Sequence, residues 1–145
     1  MLDPVIPKIK RILERGNLIG YQSLLDKSEL AFKYSPSETG EIFGVYRNEI
    51  SDNVYVAYNG LILDNLEGQK FLLYKEMIRT EWAGPHGIIT IPPLSAADRI
   101  LITLVDASQH VVQIKHGNGR LRDVFEFIRF LDRVSTGVRS FHGLS

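Results

Sequence analysis

Four histidines, His86, His110, His116 and His142, are the first places to look for acid–base or metal chemistry in this 145-residue sequence. No two of them fall at the His-x-x-x-His spacing that sets two imidazoles on one helix face. Asp106, Ser108 and His110 are close enough in sequence to resemble a catalytic set. A working triad holds nucleophile and base at hydrogen-bonding distance beside an oxyanion hole, and three residues in one short connection between strands read instead as a turn. His116, in Lys115-His116-Gly117-Asn118, stands just before a helix, where backbone N–H groups can hold an anion; these residues read as a helix cap. The absence of cysteine excludes disulfides, thiolate metal sites and cysteine nucleophiles. No glycine-rich phosphate loop is present. The expectation is a chain that is not an enzyme, with no metal and no cofactor.

Charge narrows the partners. Lysine plus arginine and aspartate plus glutamate number 17 each, so no global field draws nucleic acid or an anionic membrane. The aromatic residues sit in apolar strand patterns rather than between clustered cations, which argues against nucleic-acid binding. The hydrophobic content of 44% is enough for one domain with a real core. The N-terminal stretch lacks the pattern of a signal peptide and no apolar run reaches bilayer length, so a cytoplasmic protein is expected.

The elements that must position any site are legible from hydrophobic period. Asp3 and Pro4 can open a helix whose Val5, Ile6, Ile9, Ile12 and Leu13 share a face. Its other face carries Lys8, Lys10, Arg11, Glu14 and Arg15, and Gly16-Asn17 ends it. Tyr21 to Phe32 fits a second short helix. Ser35 to Gly40 reads as a turn or linker. A first strand follows over Glu41 to Arg47, with a polar loop from Asn48 to Asn53. Three extended segments come next, Val54 to Tyr58, Leu61 to Asp64 and Phe71 to Tyr74. Asn59-Gly60 between the first two is a two-residue hairpin signal, because both types tolerate the positive φ such a turn needs. Met77 to Trp82 continues the apolar content, Gly87 to Ile91 is a short strand, and Arg99 to Val105 and His110 to His116 form a hairpin.

The closing helix, Arg120 to Val134, puts Leu121, Val124, Phe125, Ile128 and Leu131 on one stripe. Burial of such side chains is worth about 1.5 to 3 kcal/mol each before entropy, which makes the helix integral to the core. Arg122, Glu126, Arg129 and Arg133 read as its solvated face. Phe127, Phe130 and Val134 fall outside the stripe and form a second apolar strip that something should cover: the N-terminal helix, another protein, or a second copy of the chain.

Six or seven strands followed by one amphipathic helix resembles the pleckstrin-homology-like barrel, and Tyr55-Val56-Ala57-Tyr58, Asn59-Gly60, Leu61-Ile62-Leu63 and Phe71 to Ile78 are similar to its GRAM and bacterial PH-like branch. The resemblance covers residues 38 to 136. It implies a mainly β fold with α+β content: two near-orthogonal antiparallel sheets capped by the C-terminal helix, with residues 1–37 as a helical extension and 38–145 as the barrel domain. The competing fold is an α+β sandwich with helices from both termini on one sheet face, and the strand count favours the barrel. The resemblance also implies lipid or inositol-phosphate binding through cations around the first hairpin loop. Here that loop is Asn48 to Asn53, with Arg47 beside it and with Glu49 and Asp52 repelling a phosphate.

Two readings of function follow. The first is a non-enzymatic PH-like module acting through protein contacts or self-association, regulatory or immunity-type in role, with Phe127, Phe130 and Val134 as partner face. The second is a peripheral membrane or lipid-binding module using Lys8, Lys10, Arg11 and Arg15 as an anion-facing surface.

Overall fold

Helix α1 (Ile6–Arg15) starts where the sequence places its cap. Asp3 Oδ1 accepts hydrogen bonds from the N–H groups of Val5 at 2.7 Å and Ile6 at 3.0 Å, satisfying two donors that the first turn leaves without partners. In the computed structural model residues 3–15, 19–20, 33–49, 52–84, 87–90, 98–114 and 120–143 are described. The second helix expected over Tyr21 to Phe32 lies outside them. Of the interval read as a linker, Pro36–Thr39 is one helical turn, α2, with Pro36 at a position that needs no N–H.

The strands form two antiparallel sheets. The first contains β1 (Ile19–Gly20), β2 (Ile42–Glu49), β3 (Asp52–Ala57), β4 (Gly60–Asn65) and β5 (Gly68–Leu73), in that spatial order. A single 3₁₀ turn, Tyr74–Glu76, leads to the second sheet. This contains β6 (Met77–Gly84), β7 (Gly87–Ile88), β8 (Arg99–Leu104) and β9 (Gln109–Gln113), ordered β7-β6-β8-β9. Neither sheet closes on itself. The chain is thus mainly β, and α3 (Arg120–Phe141) completes it, running beyond the expected end at Val134.

One core fills the space between the inner faces of both sheets and the two long helices. It joins Val5, Ile9 and Ile12 of α1 to Tyr46, Val54, Val56, Leu61, Leu72, Met77, Ile100, Ile102, Val112 and the buried face of α3. Strands of the first sheet bury their other face too, where Val45, Tyr55 and Ile62 form a second cluster with Ile42 and Phe71 packed on it. That two-sided burial explains why β3 reads as a nearly continuous apolar run rather than an alternation.

Several expectations need correction. The polar loop from Asn48 is shorter than expected, because β2 runs on to Glu49 and β3 starts at Asp52. Asn48 is buried and its side-chain amide donates to the Gln113 carbonyl, tying β2 of the first sheet to β9 of the second. The short strand after Trp82 is only Gly87–Ile88. At Asn59-Gly60 neither residue has positive φ; Ala107 is the one non-glycine among the described residues that does. The turn is Tyr58-Asn59, held from outside. The Tyr58 N–H donates to the Glu41 carbonyl and the Asn59 N–H to that of Thr39, while the Tyr74 N–H donates to the Asn59 carbonyl. Gly60 is required for space instead, since a Cβ there would lie 2.1 Å from the Leu72 carbonyl oxygen.

The strip Phe127, Phe130 and Val134 is also corrected: it is not a partner face but part of the chain's own core, with exposures of 0%, 3% and 0%. Val124, Phe127, Leu131 and Val134 succeed one another at three and four residues and so lie along one helix face. The residue that leaves the stripe is Phe125, which is 40% exposed. Helix α1 covers the Phe130 side of α3, and the two helices come close where Gly137 faces Pro4: a Cβ on Gly137 would lie 3.2 Å from Pro4 Cβ.

Candidate functional site

The N-terminus of α1, the α2 turn, the β3–β4 turn, the end of β5 and the C-terminus of α3 converge on one cleft of about 800 Å³. Its walls are Val5, Tyr58, Phe71, Leu73, Tyr74, Val138 and Phe141, with Asp3, Glu38, Asn59, Lys75 and His142 supplying polar groups. Four of the lining residues are fixed from behind. Tyr74 is fully buried and its hydroxyl donates to the Ala57 carbonyl at 2.7 Å, and burial pushes its pKa well above the ordinary tyrosine value. The Asn59 amide donates to the Glu38 carbonyl at 3.0 Å. Arg139 Nη1 donates to the Lys75 carbonyl at 2.9 Å, which pins α3 to the 3₁₀ turn. Phe71 packs against Tyr34, with ring centroids 5.5 Å apart.

The ionisable pair in the cleft is Asp3 and Tyr58, whose hydroxyl donates to Asp3 Oδ2 at 3.1 Å. Desolvation raises the Asp3 pKa, but the hydrogen bonds from Ile6, Val5 and Tyr58 together with the charge of Lys8 outweigh it, so the net shift is downward. Desolvation, the bond to Asp3 and its charge raise Tyr58. A carboxylate held ionised by helix N–H groups and a phenol held protonated are matched to each other, and neither is poised to take up or release a proton near neutral pH.

Asp3→Ala should therefore cost about 0.5 to 2 kcal/mol, the usual range for a lost N-cap, read from the urea midpoint. The pH dependence has a definite sign. Because the folded-state pKa lies below the ordinary value of 3.8, the stability contribution is present above that value and is lost as pH falls through the folded pKa. The alanine variant should lack that part of the acid limb.

The Asp106, Ser108 and His110 set is brought together, but in the wrong order for nucleophilic catalysis. Ser108 Oγ donates to Asp106 Oδ1 at 2.6 Å and lies 3.1 Å from His110 Nε2. With the serine proton directed at the aspartate, the imidazole N–H donates to the serine oxygen, whereas in a triad the imidazole accepts that proton. Burial, then the charge of Lys70, lowers the His110 pKa, with Asp106 opposing. The group closes the β8–β9 hairpin: the Ser108 N–H also donates to Asp106 Oδ1 at 2.9 Å, and Ala107 carries φ of 71°. Ala107→Gly should raise stability by up to about 1 kcal/mol, since the left-handed conformation costs alanine more than glycine. A higher thermal midpoint is the expected reading.

Of the four cations expected to face an anionic surface, Lys10 and Arg11 are exposed and Lys8 is half-buried; the Arg15 side chain lies outside the described residues. Lys8 and Arg11 line a groove of about 100 Å³ between α1 and α3, opposite Arg129 and Arg133. Lys10 is not among its lining residues. Of the histidines, His86 and His116 lie outside the described residues, and His142 lines the large cleft. Among the described residues no three or more histidine, aspartate or glutamate side chains gather as a metal site, and no helix is long and apolar enough to cross a membrane.

Sequence reasoning missed the cleft, because its walls come from five separated stretches with no common spacing. The fold and the cleft define a mainly β chain with a concave, largely apolar candidate binding surface. No protein-family model, curated protein or solved structure matches the chain.

Proposed function

We propose that the chain is a non-enzymatic binding module of the pleckstrin-homology-like kind, acting through protein contacts made at the cleft between the ends of α1 and α3. The observation that carries this reading is the cleft of about 800 Å³ with its aromatic and aliphatic walls. That size and lining are those of sites that bury apolar ligand groups around a few polar ones, roughly 300 to 1,000 Å³. Asp3, Tyr58 and Asn59 are already engaged in holding the walls, so affinity comes mainly from apolar burial, about 1.5 to 3 kcal/mol for each leucine- or phenylalanine-sized side chain seated, with Glu38, Lys75 and His142 as the remaining polar groups of the lining.

The PH-like assignment is supported by element order. Four consecutive antiparallel strands, β2 to β5, are followed by the second sheet and then by a helix whose apolar face packs against both. The Asn48 bond to Gln113 links the two sheets between their strands β2 and β9, where a barrel of near-orthogonal sheets would have a corner.

A photo-crosslinking amino acid placed at Phe141, in the cleft and 49% exposed, tests the function against one at Val105, 56% exposed and outside it. In lysate of the source organism, one dominant protein adduct at 141 that is absent at 105 is expected. Equal labelling at both positions, or none at 141, removes the cleft as the contact surface.

A further inference from the structure

We infer that the groove between α1 and α3 is a binding site for a single phosphate-sized anion, held by Lys8 and Arg11 from one helix and Arg129 and Arg133 from the other. The inference does not depend on the cleft, which lies elsewhere on the molecule. Lys8 and Arg11 are three residues apart and Arg129 and Arg133 four apart, so each pair occupies one face of its helix. Packing of the helices brings the two faces together around a groove floored by Ile12 and Phe130, each 3% exposed. In a chain with equal numbers of acidic and basic residues, four cations at one concavity are a local concentration of charge.

Among the described residues Glu126 is the one carboxylate in the lining, and the Asp3 pKa is lowered partly by the charge of Lys8. Among the described residues the only ion pair is Arg79–Glu81, so no described carboxylate neutralises any of the four cations at contact distance. Four like charges against an apolar floor repel one another more strongly than in open water, and an anion relieves that repulsion. Arg129 is already oriented, its guanidinium carbon 5.2 Å from the centre of the Phe125 ring, which in turn packs against Trp82 at 5.8 Å. Volume sets the ligand class. About 100 Å³ admits one tetrahedral anion and leaves whatever it is attached to outside, so the shared chemistry is a phosphate monoester, either a soluble one or a lipid headgroup.

The test uses the full chain with ¹⁵N-labelled arginine side chains, titrated with inorganic phosphate at constant ionic strength. The Arg11, Arg129 and Arg133 Nε–H signals should shift together and saturably. Arg129→Gln/Arg133→Gln, and separately Lys8→Gln/Arg11→Gln, should weaken binding about tenfold or more, while Lys10→Gln should not; circular dichroism checks that each variant is folded. A second arm uses phosphatidylcholine vesicles carrying phosphatidic acid or, at equal surface charge, phosphatidylserine. Binding of free phosphate identifies a soluble source. Phosphatidic-acid-dependent sedimentation that both double variants abolish identifies a lipid one. The inference is overturned if neither probe binds, if chloride matches phosphate, if Lys10→Gln weakens binding as much as the groove variants, or if phosphatidylserine serves as well as phosphatidic acid.

Discussion

Phe127→Ala is expected to destabilise the chain by about 3 to 5 kcal/mol, the usual loss for emptying a buried phenylalanine site. Phe127 is 0% exposed and sits in an aromatic series that crosses the molecule. Its ring meets Tyr46 of β2 edge-on at 5.0 Å and stacks on Phe130 at 5.7 Å. Phe130 in turn meets Tyr74 of the 3₁₀ turn edge-on at 5.9 Å. Removing the ring therefore opens a cavity bordered by the first sheet, α3 and the connection between the sheets, and rigid neighbours on three sides limit how far it can collapse. Against a typical total of about 5 to 15 kcal/mol, the loss would move the urea midpoint by a large fraction of its value. Phe125→Ala is the informative comparison. That side chain is 40% exposed and touches Trp82 and Arg129 at the surface, so its loss should stay within about 1 kcal/mol. Equal losses for the two variants would mean that Phe127 is no more buried than Phe125.

The same pair of phenylalanines shows what the sequence of α3 could and could not convey. Apolar residues on both sides of the ideal stripe are ambiguous by period alone: a wide buried face and two separate strips have the same composition. The width became decidable only with α1 in place, because a helix packed against sheets on one side and a second helix on the other buries more of its circumference than a single stripe. The cap of α1 was legible, since Asp3 acts on N–H groups two and three residues away. Strands β2 to β5, β8 and β9 were legible to within a few residues for the same reason of locality, whereas the two-residue strand β1 was not, being too short to show a period.

What was not legible depends on partners far along the chain. Asn48 reads as a loop residue until Gln113 is placed beside it. Lys8 and Arg11 were visible as a basic face, whereas Arg129 and Arg133 looked like ordinary solvated helix residues beside Glu126. Only the packing of α1 on α3 joins them around one groove. The cleft draws on residues from Asp3 to His142 and has no signature in any window. Topology supplies these sites, and topology is what local periodicity omits.

Gly60→Ala is the substitution expected to damage the fold most for its size. A turn glycine with positive φ would penalise alanine through backbone strain, by about 1 to 2 kcal/mol. The geometry here predicts a larger effect of different origin. The added Cβ would stand 2.1 Å from the Leu72 carbonyl oxygen, 2.9 Å from the Leu72 carbonyl carbon and 2.9 Å from Phe71 Cε1. Two of these three atoms are backbone, so no rotamer change removes the clash. Relief requires β4 and β5 to separate at the Gly60–Leu73 end of their ladder, which loosens Tyr74, its bond to Ala57 and the β5 wall of the cleft. Overpacking of well-filled sites costs about 1 to 3 kcal/mol, and a backbone clash of this depth should reach or exceed the upper figure. Hydrogen exchange separates the two origins. Strain confined to the turn leaves β5 protection unchanged, whereas the clash predicts faster exchange of the amides from Phe71 to Tyr74. If Gly60→Ala retained wild-type protection there and lost less than about 1 kcal/mol, the close approach of β5 to Gly60 would not be a feature of the folded protein.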